Sequence, residues 1–397
     1  MIESNTVNHR WALFGYGFRP FFLGAGMLAM LLIPWWAASL TWGMPLATAW
    51  PPVLWHGHEM LFGFITAAVA GFLLTAVPSW TGSRGFAGWP LRLLAALWLF
   101  GRIAVTTSVL WPPYLVAVLD LSFLPALIGF VLPPLLRERN RNTPLLAVLL
   151  AFWIVDGTFY CGLFQGDAAL SLHALHVGID IVLLLITIIG GRIVPAFTNS
   201  AFKQRGVAIA VRASAFMTPL VIVSMLAVIV IDLYWPDGKL AGVAAAIAAI
   251  AHAMRVAQWR GIRTLSMPIV WVLHLGYLWL PVGFALKALS LLAHLVFAAY
   301  YLHALTIGAA TTMILAVMTR ASLGHTGRPL VVARAVALAY VLLAAATLVR
   351  VFAPMLHDVS YTHVIVIAAL LWTLAFGIFI VIYTPILVRP RKDGKPG

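Results

Sequence analysis

Three histidines with similar surroundings define the chemistry open to this chain. His58 (in Trp55-His56-Gly57-His58-Glu59-Met60), His176 and His303 each stand near the start of a long apolar stretch. At about 1.5 Å of rise per residue they reach a similar depth, in the half of a bilayer away from the basic loops. Neutral imidazoles at one level suit copper, and one of them could be the axial ligand of a haem. Ionisable groups at membrane depth cost roughly 2.5–3.5 kcal/mol each even on lenient insertion scales, so they point to function. His56, two residues from His58 and about 200° round a helix, must face a different partner. Glu59 sits beside them as a candidate proton donor. Asp180 follows His176 by one turn, where a carboxylate could orient a ligand or carry a proton. Any one of these histidines could instead hydrogen-bond a carbonyl or a water.

A second group lies nearer the basic loops. His252 has Arg255 nearby, and His274 opens the next span, which returns from the same side. Histidines on consecutive helices are a common grip on a b-type haem. Arg19, Arg192 and Arg320 stand at the mouths of spans, where a planar guanidinium suits a haem propionate, or serves only as an interfacial anchor. His325, in Ser322-Leu323-Gly324-His325-Thr326-Gly327-Arg328, belongs to a loop that could cap the same pocket. His9, His173, His294, His357 and His363 read as solvent or interface residues, and Asp120, Asp156 and Arg102 as buried and paired. No phosphate-binding loop, dinucleotide fingerprint, Ser/His/Asp arrangement or covalent haem-attachment motif occurs. The single cysteine, Cys161, allows neither a disulfide framework nor a thiolate metal cluster.

Composition sets the elements that carry these residues. A chain that is 63% hydrophobic and 9% charged, with mean hydropathy +1.02, is an integral membrane protein, since soluble domains carry about 25% charged residues. Twelve spans are expected, near 20–42, 53–78, 90–110, 113–136, 143–164, 170–196, 212–234, 239–260, 267–288, 293–319, 330–352 and 361–388. The result is an all-α chain forming a single membrane domain over 1–397. The first span is too long for a cleavable signal. The net charge of +14 does not imply nucleic acid, because the basic residues lie in short loops. Twenty of the 25 fall on one side of the spans, which places both termini in the cytoplasm.

The spans repeat. His58, Gly63, Thr81 and Gly82 are matched in spacing by His303, Gly308, Thr326 and Gly327. Val77-Pro78-Ser79-Trp80-Thr81 is echoed by Val194-Pro195-Ala196-Phe197-Thr198, with His176 one residue out of register behind it. A period of four spans predicts a pseudo-threefold arrangement of four-helix units, roughly 15–136, 143–263 and 267–388, unless short apolar motifs coincide by chance. Internal repeats in membrane proteins place the functional site at their interface.

Gly17-Phe18-Arg19-Pro20-Phe21-Phe22, the Trp55–Met60 stretch, Gly71 to Gly82, Gly191-Arg192-Ile193-Val194-Pro195-Ala196-Phe197-Thr198 and His303 through Pro329 resemble the NnrS family. The resemblance implies a bacterial inner-membrane protein holding haem b (one or two) and copper, tied to nitric oxide metabolism and resistance alongside denitrification. The family's histidine motifs fall on His56, His58, His176, His252, His274, His303 and His325. Gly57 stands where the family usually has alanine, and Ser79 where asparagine is common.

The activity this implies is reduction of NO to nitrous oxide, an oxidoreductase reaction with Glu59 delivering protons and electrons from a donor the sequence does not identify. The alternative is a non-catalytic NO-, haem- or copper-binding protein. A solute transporter is disfavoured: the repeat is threefold, and no Gly/Pro-split pair of spans occurs in matching halves.

Overall fold

With no water in the hydrocarbon core, each apolar stretch must close its own backbone hydrogen bonds as a helix. The computed structural model describes residues 11–211, 214–295, 300–356 and 358–394. Among them twelve helices are long and apolar enough to span a bilayer. They are α1 Phe18–Trp42, α2 Pro52–Thr81, α3 Trp89–Thr106, α4 Pro113–Arg137, α5 Leu145–Gln165 and α6 Ala168–Gln204, then α7 Met217–Tyr234, α8 Lys239–Ala257, α9 Pro268–Ala293, α10 Tyr301–His325, α11 Arg334–Met355 and α12 Tyr361–Val388. The described residues contain no strand. Arg10, Arg212 and Lys395, counted above toward the charge asymmetry, and His9 and His357 lie outside the described residues.

α2, α6, α9 and α10 are the most buried helices, whereas α3, α4, α5, α7 and α12 turn much of their surface outward. Leu93, Phe100, Leu150, Val223 and Leu374 are among the exposed apolar side chains, as a lipid-facing perimeter requires. The helix that opens each expected unit packs on the second helix of its own unit and the last helix of another: α1 on α2 and α12, α5 on α6 and α4, α9 on α10 and α8. α2 and α6 interlock through small residues, which let helix backbones approach closely. A Cβ on Gly57 would come within 2.7 Å of Leu175, and one on Gly178 would collide with Leu61.

Two of the central helices are not regular. Glu59–Ile65 in α2 and Ala304–Thr311 in α10 are π-helical, each starting directly after a histidine, His58 or His303. A threonine hydroxyl bonds the carbonyl five residues back in both, Thr66 to Leu61 at 3.1 Å and Thr312 to Ile307 at 3.2 Å. A π turn fits one more residue into about the same rise, and such bulges cluster at functional sites. α6 is α-helical from Ala168 to Gln204, and its histidine-to-threonine spacing is one residue shorter than in α2 and α10. The one-residue offset of His176 is therefore the counterpart of the two π turns.

The chain ends close the basic face. Arg19 donates to the carbonyls of Leu387 at 2.7 Å and Arg389 at 2.8 Å, tying α1 to the end of α12. Arg391 donates to the His325 carbonyl at 2.8 Å. At the opposite face, Gly166 (φ +69) turns the chain between α5 and α6, and the Asp167 carboxylate caps α6 by accepting from the Leu170 N–H.

Candidate functional site

On the face away from the basic loops, α1, α2, α6, α10, α11 and α12 enclose a cavity of about 190 Å3. Its walls are apolar (Ile33, Trp36, Leu175, Trp372) apart from His56, His176, His303, two threonines and Arg350, and among the described residues no carboxylate lines it. Trp36 fixes His56 by stacking, with ring centroids 4.0 Å apart and planes 18° apart. His303 Nδ1 is buried without a hydrogen-bond partner. Arg350, 6% exposed, donates to the Tyr361 hydroxyl at 2.7 Å and lies against the rings of Tyr300 and Tyr361. Its Nη1 is buried and unpartnered. The sequence grouped His58 with His176 and His303, but the structure puts His56 in that place. The face of α2 turned toward α6 and α10 carries His56, Gly57, Met60 and Leu61, and His58 points about 200° away.

The cavity is the outer end of a column. It shares Ile65 with an apolar space of about 80 Å3 lined by Phe22, Ile186 and Val317. That space shares Phe22, Phe72, Ile193 and Val317 with a third of about 250 Å3, lined by Arg320 and His325 at the basic face. Arg320 and His325 thus line one cavity, but His252 and His274, expected at the same pocket, do not line it, and His325 is the last residue of α10 rather than part of a loop. Arg320 lies 3.9 Å over the Phe197 ring, and Tyr16 stacks on His325 at 6.0 Å. Burial holds the Tyr16 phenol above its ordinary pKa, against the opposing charge of Arg391.

His58 belongs to a separate, fully buried cluster between the first two units. Its Nε2 lies 3.0 Å from Asp120 Oδ2 and 3.1 Å from Asp156 Oδ1. Arg102, 4% exposed, pairs with Glu59 at 2.6 Å and with Asp120, and the Tyr160 hydroxyl donates to Asp120 Oδ2 at 2.8 Å. The three acidic and histidine ligand atoms lie within 4.8 Å of one another. Three carboxylates against one guanidinium leave two negative charges if all are ionised and His58 is neutral, so the cluster calls for protons or a cation. Trp50 covers His58 edge-on at 5.1 Å, on a loop anchored where the Ala49 N–H and Thr48 hydroxyl meet Ser108. A cavity of about 330 Å3 on the outer side is lined by Trp50, Ser108 and Tyr160.

A third polar group completes the set. Lys287 on α9 is paired with Asp232 on α7, and both are buried, as is Asp180 on α6. Asp180 lies close to this pair, and among the described residues no hydrogen bond joins it to His176. Three of the six buried cations, Arg102, Lys287 and Arg350, thus lie one at each interface between the expected four-helix units on the side away from the basic loops.

Each histidine of the pair expected to face each other across a haem has one ring nitrogen bound by a hydroxyl. His252 Nδ1 meets the Tyr277 hydroxyl at 3.0 Å, and His274 Nε2 meets the Thr198 hydroxyl at 2.9 Å. The buried rings of Tyr277 and Trp259 connect the two histidines, touching each other at 4.5 Å. His252 Nε2 and His274 Nδ1 are buried without partners. Arg255 donates to the same Tyr277 hydroxyl and to the Thr187 carbonyl, both at 2.9 Å, through space that Gly191 leaves open. Arg192 is bound by Asn142. Of the three arginines expected to meet propionates, Arg320 lines the inner cavity, while Arg19 donates to backbone carbonyls and Arg192 to the Asn142 amide oxygen.

Arg350, with Trp36 and Tyr361, is what sequence reasoning missed. A signal existed: Arg102, Asp232 and Arg350 each lie near the end of the third helix of an expected unit. A protein-family model described as "NnrS protein" matches residues 12–391, nearly the whole chain. No curated protein matches it.

Proposed function

The chain belongs to the NnrS family, and from that premise we propose that it is a metal-containing membrane protein acting on nitric oxide, reducing it to nitrous oxide. Two NO molecules, two electrons and two protons give one N2O and one water. The observation that carries the reading is the outer cavity, where imidazoles from three central helices line one apolar-walled space.

The donor types suit a metal, but the three imidazoles would have to close in on one another to share it: among the described residues the ligand atoms found within 4.8 Å of one another are those of His58, Asp120 and Asp156. His303 Nδ1 is a buried lone pair or proton with nothing to meet, and an imidazole set suits copper or haem iron. His56, His176 and His303 would hold the outer metal. The apolar walls and Arg350 would accommodate a porphyrin edge and its carboxylate, and Arg320 with His325 would do the same at the inner cavity. Once bound, the metal supplies an open coordination position for NO and a route for electrons. The protein's part is to exclude water and admit a small neutral gas through apolar walls. The cluster of His58, Glu59, Asp120 and Asp156 would store protons drawn from the outer vestibule past Tyr160. The reading places the protein in the bacterial inner membrane with both termini cytoplasmic, fed by an electron donor yet to be identified.

One observation favours a second reading, binding of NO, haem or copper without turnover. Among the described residues no carboxylate lines the cavity, and Glu59 lies with His58 on another face of α2. Purified, reduced protein with counted iron and copper, exposed to NO, separates the two. Stoichiometric nitrous oxide supports reduction, a stable metal–nitrosyl spectrum without nitrous oxide supports binding, and absence of both metals overturns both.

A further inference from the structure

Among the six buried cations, Arg102, Lys287 and Arg350 on the outer side are not treated alike. Arg102 is paired with Glu59 and Asp120, and Lys287 with Asp232. Arg350 has no ion pair among the described residues, and its Nη1 is buried without any partner. It lines a cavity that, among the described residues, offers it no carboxylate. A guanidinium kept out of water without a counter-charge is costly, and the cost is removed when an anion arrives from outside the chain.

We propose that the outer cavity binds a monoanionic oxygen ligand, a carboxylate or an oxyanion of nitrite's size, with Arg350 as its counter-ion. One guanidinium balances one negative charge. Walls made of Ile33, Trp36, Leu175, Ile365 and Trp372 give a polyanion nothing to replace its water, which excludes phosphate-like ligands. Tyr361 holds one terminal nitrogen of the fork through its hydroxyl, leaving Nη1 for the ligand. Arginine's planar fork matches a two-oxygen anion. The same chemistry could come from a free anion beside the metal or from the carboxylate of a larger apolar cofactor. The proposal deepens the reading of this cavity and rests on it for what lies beside the anion, although Arg350 needs a counter-charge whether or not the metal is there.

Full-length wild type, Arg350→Gln and Arg350→Lys are purified in detergent, and iron and copper are counted on each sample. Each is titrated with nitrite and with butyrate by calorimetry. A parallel sample is denatured and extracted, and the released carboxylate-bearing molecules are identified by mass spectrometry. In the free-anion case wild type binds nitrite or butyrate, and Arg350→Gln weakens that binding about 10- to 100-fold. In the cofactor case wild type releases a resident carboxylate ligand that Arg350→Gln has largely lost. Arg350→Lys keeps more of either than Gln does. Should Arg350→Gln fail to fold, Tyr361→Phe, which only frees the guanidinium, is expected to weaken binding several-fold. The proposal is overturned if wild type neither binds an anion nor releases one, or if folded Arg350→Gln, or failing that Tyr361→Phe, behaves as wild type. Anion binding in metal-free protein would sink the functional reading alone, and metal without an anion would sink this proposal alone.

Discussion

His56 and His58 are two residues apart on α2 and serve different sites. The His56 ring lies stacked on Trp36 in the outer cavity, while His58 Nε2 lies within 3.1 Å of two buried carboxylates. Substituting each should therefore have distinct consequences. His56→Ala, His176→Ala and His303→Ala should each lower the metal content of the purified protein. His58→Ala should leave metal content near wild type and reduce nitrous oxide output or thermal stability. Elemental analysis of the four variants beside their optical spectra makes the test, and equal losses in His56→Ala and His58→Ala would merge the two sites.

Arg102 is the cation of an otherwise acidic cluster. Removing one partner from a buried ion pair typically costs about 3–5 kcal/mol, because the remaining charges are left uncompensated. Arg102→Met leaves Glu59, Asp120 and Asp156 without their guanidinium and should lower the unfolding midpoint in detergent strongly. The double variant Arg102→Met/Glu59→Gln removes one of the stranded charges and should recover part of the loss. A midpoint for Arg102→Met within experimental scatter of wild type would show that the cluster is not held by this pair.

The π turn of α2 sets which residue faces the cavity. Deleting one residue inside it, Met60, lets a regular helix form and turns the N-terminal part of α2 by about 100° relative to its C-terminal part. His56 then leaves the cavity wall. The deletion should lose metal while inserting normally, whereas Met60→Ala, which keeps the register, should retain it. Metal counts on membrane-extracted protein decide the matter, and equal occupancy would mean that the π turn does not place His56.

Much of this was legible because the bilayer restricts what a sequence can do. Twelve apolar runs gave twelve helices, with bounds such as Lys239–Ala257 and Tyr361–Val388 close to those expected. The matched spacing of His58 and His303 pointed to corresponding places in α2 and α10. What spacing could not give was azimuth. Residues two apart on a helix face directions about 200° apart without any difference in hydropathy, so His58 was grouped with His176 where His56 belongs. Nor does position at a span mouth reveal whether carbonyls, as at Arg19, or an amide, as at Arg192, already meet the guanidinium. The one-residue offset of His176 was the visible trace of the missing geometry.

Gly57 lets two opposing effects be weighed. In an isolated helix, replacing glycine by alanine gains about 0.8–1.0 kcal/mol of helix propensity. Here the new Cβ would stand 2.7 Å from Leu175 Cδ1, and overpacking of that kind typically costs about 1–3 kcal/mol. Leu175 is 3% exposed and lies next to His176, so any yielding would disturb the cavity wall as well. Gly57→Ala should therefore be neutral to destabilising by up to about 2 kcal/mol, the difference of the two ranges. Gly57→Ala/Leu175→Val, which trims the obstructing methyl, should be more stable than Gly57→Ala alone. Unfolding midpoints in one detergent, with metal content recorded beside them, check both. A Gly57→Ala midpoint clearly above wild type would mean that Leu175 moves aside freely and that α2 and α6 are less tightly interlocked than the structure shows.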